Sequence, residues 1–221
     1  MDINKIKKYL ITGIMTLSMP AAIYADTPGF YLGLEGGYTN THNINQDVAT
    51  TTGGVAVLTP SNKGVGGRAF MGFNINQYFG IEGGFTHYAP STYTLPGGVI
   101  LAAGNPVGHP VITENGFDLV GKGMWSFPYG FGIFGKAGVA IIRTSKAGTF
   151  TTSSTGTIAT GTTNYVRPTA GLGLTYNLTQ AWQTQFTVTR VFSGSGFQSA
   201  DLIALGISYH FVDEYCGQFL C

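Results

Sequence analysis

Proton-transfer chemistry in this 221-residue chain would have to come from four histidines, His42, His87, His109 and His210. A Ser-His-acid site needs its three groups to converge in space. His42 and His109 fall in stretches that read as loops, and His87 has only Glu82 as an acid on its own segment. Ser208 and His210 share one face of an extended segment, since alternate residues of a strand point the same way. Carboxylate clusters, metal-ligand spacings and phosphate-binding loops do not occur in the sequence. Neither an enzyme nor a cofactor or metal is expected. Cys216 and Cys221 both stand in the last six residues; in an oxidising compartment they would close a small disulfide ring, and otherwise they are two free thiols.

The remaining chemistry-bearing residues are charges, and their role depends on the surface that carries them. Only 10% of the residues are charged, against 43% hydrophobic and 13% aromatic, with 34 glycines. A soluble domain carries about 25% charged residues, so a water-exposed surface is hard to build here. Abundant aromatics and aliphatics exclude disorder. With 11 basic and 10 acidic residues there is no basic footprint for nucleic acid. Residues 1–25 read as a cleaved secretory signal: Lys5, Lys7 and Lys8 precede an apolar run from Tyr9 to Met19, and small residues lead to Ala25. Its removal takes away three Lys and Asp2, leaving 8 basic and 9 acidic residues in an exported chain.

After the signal no apolar run reaches the length of a membrane-spanning helix. Period-two alternation recurs instead, in eight segments: Phe30–Tyr38, Gly66–Phe73, Phe79–Tyr88, Phe117–Phe127, Phe131–Thr144, Tyr165–Tyr176, Trp182–Val191 and Asp201–Phe211. Each is about the length that a tilted transmembrane β-strand needs. One face is apolar and aromatic (Phe79, Ile81, Phe85; Ile203, Leu205, Ile207), the other polar or small (Glu82, Thr86; Ala204, Ser208). Aromatics flank the turns, among them Phe73, Trp125, Phe131, Tyr176, Trp182 and Phe211, as a girdle at a membrane interface would. Short connections (Asn74–Tyr78, Pro128–Gly130, Asn177–Ala181) alternate with longer ones (Thr39–Val65, Ala89–Gly116, Ser145–Asn164, Phe192–Ala200). Short periplasmic turns and long external loops are the expected asymmetry of an outer-membrane barrel, and the Thr/Gly/Ser-rich external stretches read as solvated loops.

On this reading the chain is all-β: an eight-stranded antiparallel up-and-down transmembrane β-barrel over residues 26–211, with a periplasmic tail over 212–221. Alternation puts Glu35, Arg68, Glu82, Asp118, Lys122, Lys136 and Arg167 on the inward face. An eight-stranded interior is just wide enough for side chains, and buried charges must pair or be hydrated. These residues are expected to form a salt-bridge network that plugs the lumen. Arg143 and Arg190 fall on the lipid face near the external strand ends, where an arginine costs about 0–1 kcal/mol. Their partners there are either the phosphates and anionic sugars of lipopolysaccharide or interfacial water.

The order, number and spacing of GFYLGLEGGYTN, RAFMGFNINQYFGIEGGFTHY, FDLVGKGMWSFP, FGIFGKAGVAIIRTSK, VRPTAGLGLTYNL and ALGISYHF resemble the OmpA-like family of small outer-membrane barrels of Gram-negative bacteria. The resemblance spans about residues 28–211 and includes no peptidoglycan-binding domain. It implies that the closing strand, ending in Phe211, is read by the barrel-assembly machinery. It also places Glu82 and Lys122 at interior gate positions, with Thr175 and Gln185 at the other two, so that a four-charge gate is incomplete. Glu82 and Lys122 are then expected to pair, with Lys136 and Glu35 nearby; hydrated structural charges are the alternative. The place of Ser208 and His210 in the closing strand matches ordinary non-catalytic barrels. The role that follows is structural and interactive: envelope integrity, outer-membrane lipid and lipopolysaccharide contact, and loops that adhere to an external ligand the residues do not identify. A narrow porin-like channel is the alternative.

Overall fold

The structure is a computed structural model and describes residues 28–43, 45–49, 55–94, 111–147, 150–152, 156–158 and 161–211. The expected signal (1–25), the tail with Cys216 and Cys221, and His109 lie outside the described residues. Eight long strands make the wall: β1 Gly29–Thr41, β2 Lys63–Asn74, β3 Phe79–His87, β4 Val111–Ser126, β5 Phe131–Ala147, β6 Gly161–Asn177, β7 Trp182–Val191 and β8 Ala200–His210. Each pairs antiparallel with the next, and β8 returns to β1 in a register running from Tyr31↔His210 to Thr41↔Ala200. Closure leaves no strand edge, which lipid requires because it cannot hydrogen-bond a bare backbone.

The two faces of the wall invert the order of a soluble protein. Leu172, Leu205 and Met71 point outward and are about 70% exposed (72%, 70% and 69%), while Glu35, Arg68, Glu82 and Lys122 are buried. Such a continuous apolar exterior is stable only against lipid. Outward aromatics pair at the end that carries the short turns: Phe30 with Phe73, Phe131 with Tyr176, and Trp182 with Tyr209, at ring-centroid distances of 4.8, 4.7 and 5.0 Å.

The short turns follow from local side-chain chemistry. Between β2 and β3, Asn76 Oδ1 accepts from the backbone N–H groups of Tyr78 and Phe79, both at 2.8 Å, a side chain imitating a backbone turn. Thr179 Oγ1 does the same for Ala181 and Trp182 between β6 and β7. Between β4 and β5, Pro128–Gly130 forms a single 3-10 turn in which Tyr129 and Gly130 take positive φ (69° and 80°).

Strand lengths differ from the sequence expectation at the other end. The loop expected over 89–116 gives way to β4 at Val111, and the one expected over 145–164 is shortened by β5, which runs to Ala147, and by β6, which starts at Gly161. Alternation continues there, but the outward residues become Thr113, Asn115, Ser145 and Thr162, which belong above a membrane rather than in it. Parts of the first two external stretches are also built into the sheet, not left as solvated loop. Val55–Ser61 pairs with Gln46–Ala49 and with Ser91–Thr94, which itself adds to β4.

The lumen is filled in layers. Just above the short turns, past buried Asn74 and Gln183, stand Tyr31, Phe70, Met124, Phe134 and His210, and above them the buried charges. The outer half holds an apolar cluster of Tyr88, Ala140, Ile142, Val191, Phe197, Ala200, Leu202 and Ala204. The sequence reading expected only charges as the plug; here an apolar layer lies over them.

Candidate functional site

Alternation decides which side chains enter the lumen, and register decides which of them meet. Glu35 on β1 stands opposite Arg68 on β2, and Lys122 on β4 stands directly opposite Lys136 on β5. Two like charges on neighbouring strands repel. Glu82, reaching in from β3, offsets both: its carboxylate lies 3.7 Å from Lys122 Nζ and 3.6 Å from Lys136 Nζ. The same carboxylate accepts from Arg68 Nη1 at 2.8 Å and from the Tyr31 hydroxyl at 2.9 Å.

Arg68 is the hub that spacing alone does not reveal. Its Nη2 and Nε donate to the two oxygens of Asp118 at 2.6 and 3.1 Å, while Nη1 faces Glu82 and lies 4.0 Å from Glu35. The Gln185 amide donates to Glu35. Lys122 Nζ also lies over the rings of Phe134 and Tyr31, 4.5 and 4.9 Å from their centroids, a favourable place for a cation. Three carboxylates (Glu35, Glu82, Asp118) thus face three cations (Arg68, Lys122, Lys136), all buried and with no net charge left over.

Space for these side chains comes from glycines across the lumen. A Cβ on Gly84 would sit 2.4 Å from Arg68 Nη2, and one on Gly206 would sit 2.6 Å from Glu35 Cγ. Thr175 is buried beside Gly132 and takes no part in the network.

Arg167 also stands apart. It lies on the inward face but at the outer mouth, where its guanidinium donates to the carbonyls of Val166 and Ser195 and lies 5.5 Å from the Tyr165 ring centroid. The cause is height: register sets Arg167 opposite Ala140, four residues beyond Lys136 on β5, and at about 3.3 Å per residue that puts it out of reach of the network.

Arg143 and Arg190 are outward and exposed, as alternation expects. Arg190, however, is already engaged: its guanidinium makes two hydrogen bonds to Asp201, at 2.6 and 2.7 Å. Arg143 stands opposite Asn115 and Asn164, within the polar ring above the apolar band. His87 points outward and shares a 2.6 Å hydrogen bond with Asn115, so it turns its back on inward-facing Glu82. Ser208 and His210 do meet, at 3.4 Å, with His210 stacked on Tyr31. Among the described residues no group of three or more His, Cys, Asp or Glu is arranged to hold a metal ion.

A second buried acid was missed because its stretch read as loop. Glu114, near the start of β4, is 3% exposed, and one of its oxygens accepts from Asn43 at 3.4 Å. Its strand neighbours Thr113 and Asn115 are outward and polar, so it lies above the apolar band. Burial pushes its carboxyl up to about 7, and the Asn43 hydrogen bond opposes that rise. Extending the inward series Lys122, Val120, Asp118 and Gly116 by one step would have found it.

A closed antiparallel wall with an apolar outside and a charge-filled inside defines a transmembrane β-barrel of eight strands. The chain belongs to the OmpA-like transmembrane domain family of outer-membrane barrels, whose model matches residues 25–215. It is 28% identical over 213 residues to an uncharacterised protein of Coxiella burnetii (strain RSA 493 / Nine Mile phase I), a match covering 83% of this chain and 85% of that protein. Among solved structures, the outer membrane protein OprG from Pseudomonas aeruginosa is similar at a TM-score of 0.50 and 12% identity, over 86% of this chain and 99% of that one. Neisserial surface protein A gives 0.49 at 13% identity, over 83% and 97% of the two chains.

Proposed function

We propose that this protein is a sealed barrel of a bacterial outer membrane, exported through a cleaved signal, that stabilises the envelope and presents its external loops for adhesion. The observation that carries the reading is the occupied lumen. A neutral network of six buried charges lies between an aromatic layer and an apolar cluster. Family membership supports the membrane, and the polar ends of β4, β5 and β6 support an exposed outer mouth. The experiment is fractionation with a gel of unboiled and boiled samples, paired with protease digestion of intact cells. Recovery in the outer-membrane fraction with heat-dependent migration, and cleavage within the long connections only, is expected. A soluble periplasmic protein with one mobility would refute the proposal.

A second reading, a narrow channel for small solutes, has its own support. Among the described residues, Lys136 Nζ, one oxygen of Glu35, Gln185 Oε1 and Thr187 Oγ1 are buried and have no hydrogen-bond partner. Buried polar atoms of this kind recruit water, and connected water would conduct. Conductance separates the two readings.

A further inference from the structure

Outside the charge network, the outer mouth encloses a cavity of about 180 Å³ whose lining includes Glu114, Thr144, Lys146, Tyr93, Phe197 and Gln198. Two polar atoms on it are buried and have no hydrogen-bond partner among the described residues: Glu114 Oε2 and Thr144 Oγ1. Among the described residues Glu114 has one hydrogen-bond partner, and that partner is itself held. Asn43, which donates to its other oxygen, is held by Ser91 at 3.0 Å and through its carbonyl by Asn62 at 2.8 Å; Ser91 is held in turn by Thr41 at 2.7 Å. Among the described residues Glu114 makes no ion pair, although Lys146 lines the same cavity.

A buried carboxylate with an unused oxygen calls for a hydrogen-bond donor, because leaving it unmet costs the full desolvation of that atom. The choice of ligand is narrowed by what surrounds it. A free ammonium would sit in the same small space as the Lys146 cation, and an anion would sit beside Glu114. A neutral polyol suits both, donating hydroxyls to Glu114 and Thr144 and accepting from Lys146 and the Gln198 amide. The rings of Tyr93 and Phe197 offer apolar surface for the C–H face of a sugar. A cavity of about 180 Å³ has the room of one sugar ring. Phe197 also belongs to the apolar cluster below, which lies next to the pocket.

We propose that this pocket binds a single neutral monosaccharide unit, the end of a glycan that approaches the outer mouth. The proposal draws on the outward orientation of that mouth but not on whether the lumen conducts. The sugar could come from lipopolysaccharide or from a host surface, and the test separates them.

Full-length mature barrel in detergent micelles would be titrated by saturation-transfer NMR with the methyl glycosides of glucose, galactose and N-acetylglucosamine. At least one is expected to bind saturably at millimolar concentration. In buffer above about pH 8, where the raised carboxyl of Glu114 is ionised, Glu114→Gln should weaken it by about tenfold or more, the worth of one buried charge-assisted hydrogen bond, and Lys146→Met should weaken it less. Heat-dependent gel migration confirms that each variant is folded. Competition with lipopolysaccharide core oligosaccharide, and binding to a mammalian glycan array, assign the source. No glycoside binding by folded protein overturns the proposal. Methylammonium or acetate binding with the same Glu114 sensitivity overturns it too, by making this an ion site. Micelle binding does not depend on cellular location, so its failure is distinct from failure of the membrane reading.

Discussion

Glu82→Gln is the substitution that asks most of the charge network. In the native barrel the carboxylate touches Arg68, Lys122, Lys136 and the Tyr31 hydroxyl, at 2.8, 3.7, 3.6 and 2.9 Å. Gln keeps the shape and removes the charge, so three buried cations face only Glu35 and Asp118. Lys122 and Lys136 then stand opposite each other in register with no anion between them. Removing one partner from a buried ion pair costs about 3–5 kcal/mol, because an uncompensated charge is left in a poorly solvated space. Hydrated charges at an accessible site would lose only about 0–1 kcal/mol. The assay is denaturant unfolding in micelles followed by the fluorescence of Trp125 and Trp182, which lie on the lipid-facing side. Adding Lys122→Met should recover part of the loss by restoring the charge balance. A Glu82→Gln loss below about 1 kcal/mol, with no recovery in the double variant, would refute a dry, mutually paired network.

Other consequences follow from single sites. Gly84→Ala would put a Cβ 2.4 Å from Arg68 Nη2; overpacking of this kind costs about 1–3 kcal/mol, and the same unfolding assay should show it. Asn76→Ala removes two acceptor contacts from the β2–β3 turn, and a loss of about 1 kcal/mol is expected. Glu114 carries the pH dependence. Its folded carboxyl is raised to about 7 from the ordinary 4.5, so the folded state holds a proton more tightly than the unfolded chain. The penalty for burying its charge is complete above pH 7 and gone below about 4.5, so the wild type should gain on Glu114→Gln as pH falls through that window, by up to about 3 kcal/mol. A difference between the two that does not change with pH would contradict the assignment.

The sequence makes the wall of this barrel legible because a strand obeys a period of two whatever surrounds it. Phe79, Ile81 and Phe85 outward and Glu82 and Thr86 inward follow from that rule alone. What one strand does not carry is height against its neighbours. Arg167 has the right face for the network and the wrong level. Arg68 is the hub because its register sets it among Glu35, Glu82 and Asp118, with Gly84 leaving room for its guanidinium. Glu114 and Lys146 were hidden for a different reason. Their strands continue past the apolar band, so the lipid-facing signal that marks a strand stops before the strand does. The apolar cluster around Ile142 and Leu202 breaks the rule that an inward face is polar, so alternation alone does not reveal it.

Single-channel recording in a planar lipid bilayer tests the sealed lumen most directly. Refolded mature protein should insert, as judged by its heat-dependent migration, and give no steady conductance in concentrated potassium chloride. Glu82→Gln, by loosening the network, should open brief events. Stable open levels in the wild-type protein that change with Lys122→Met would contradict the sealed barrel and establish the channel in its place.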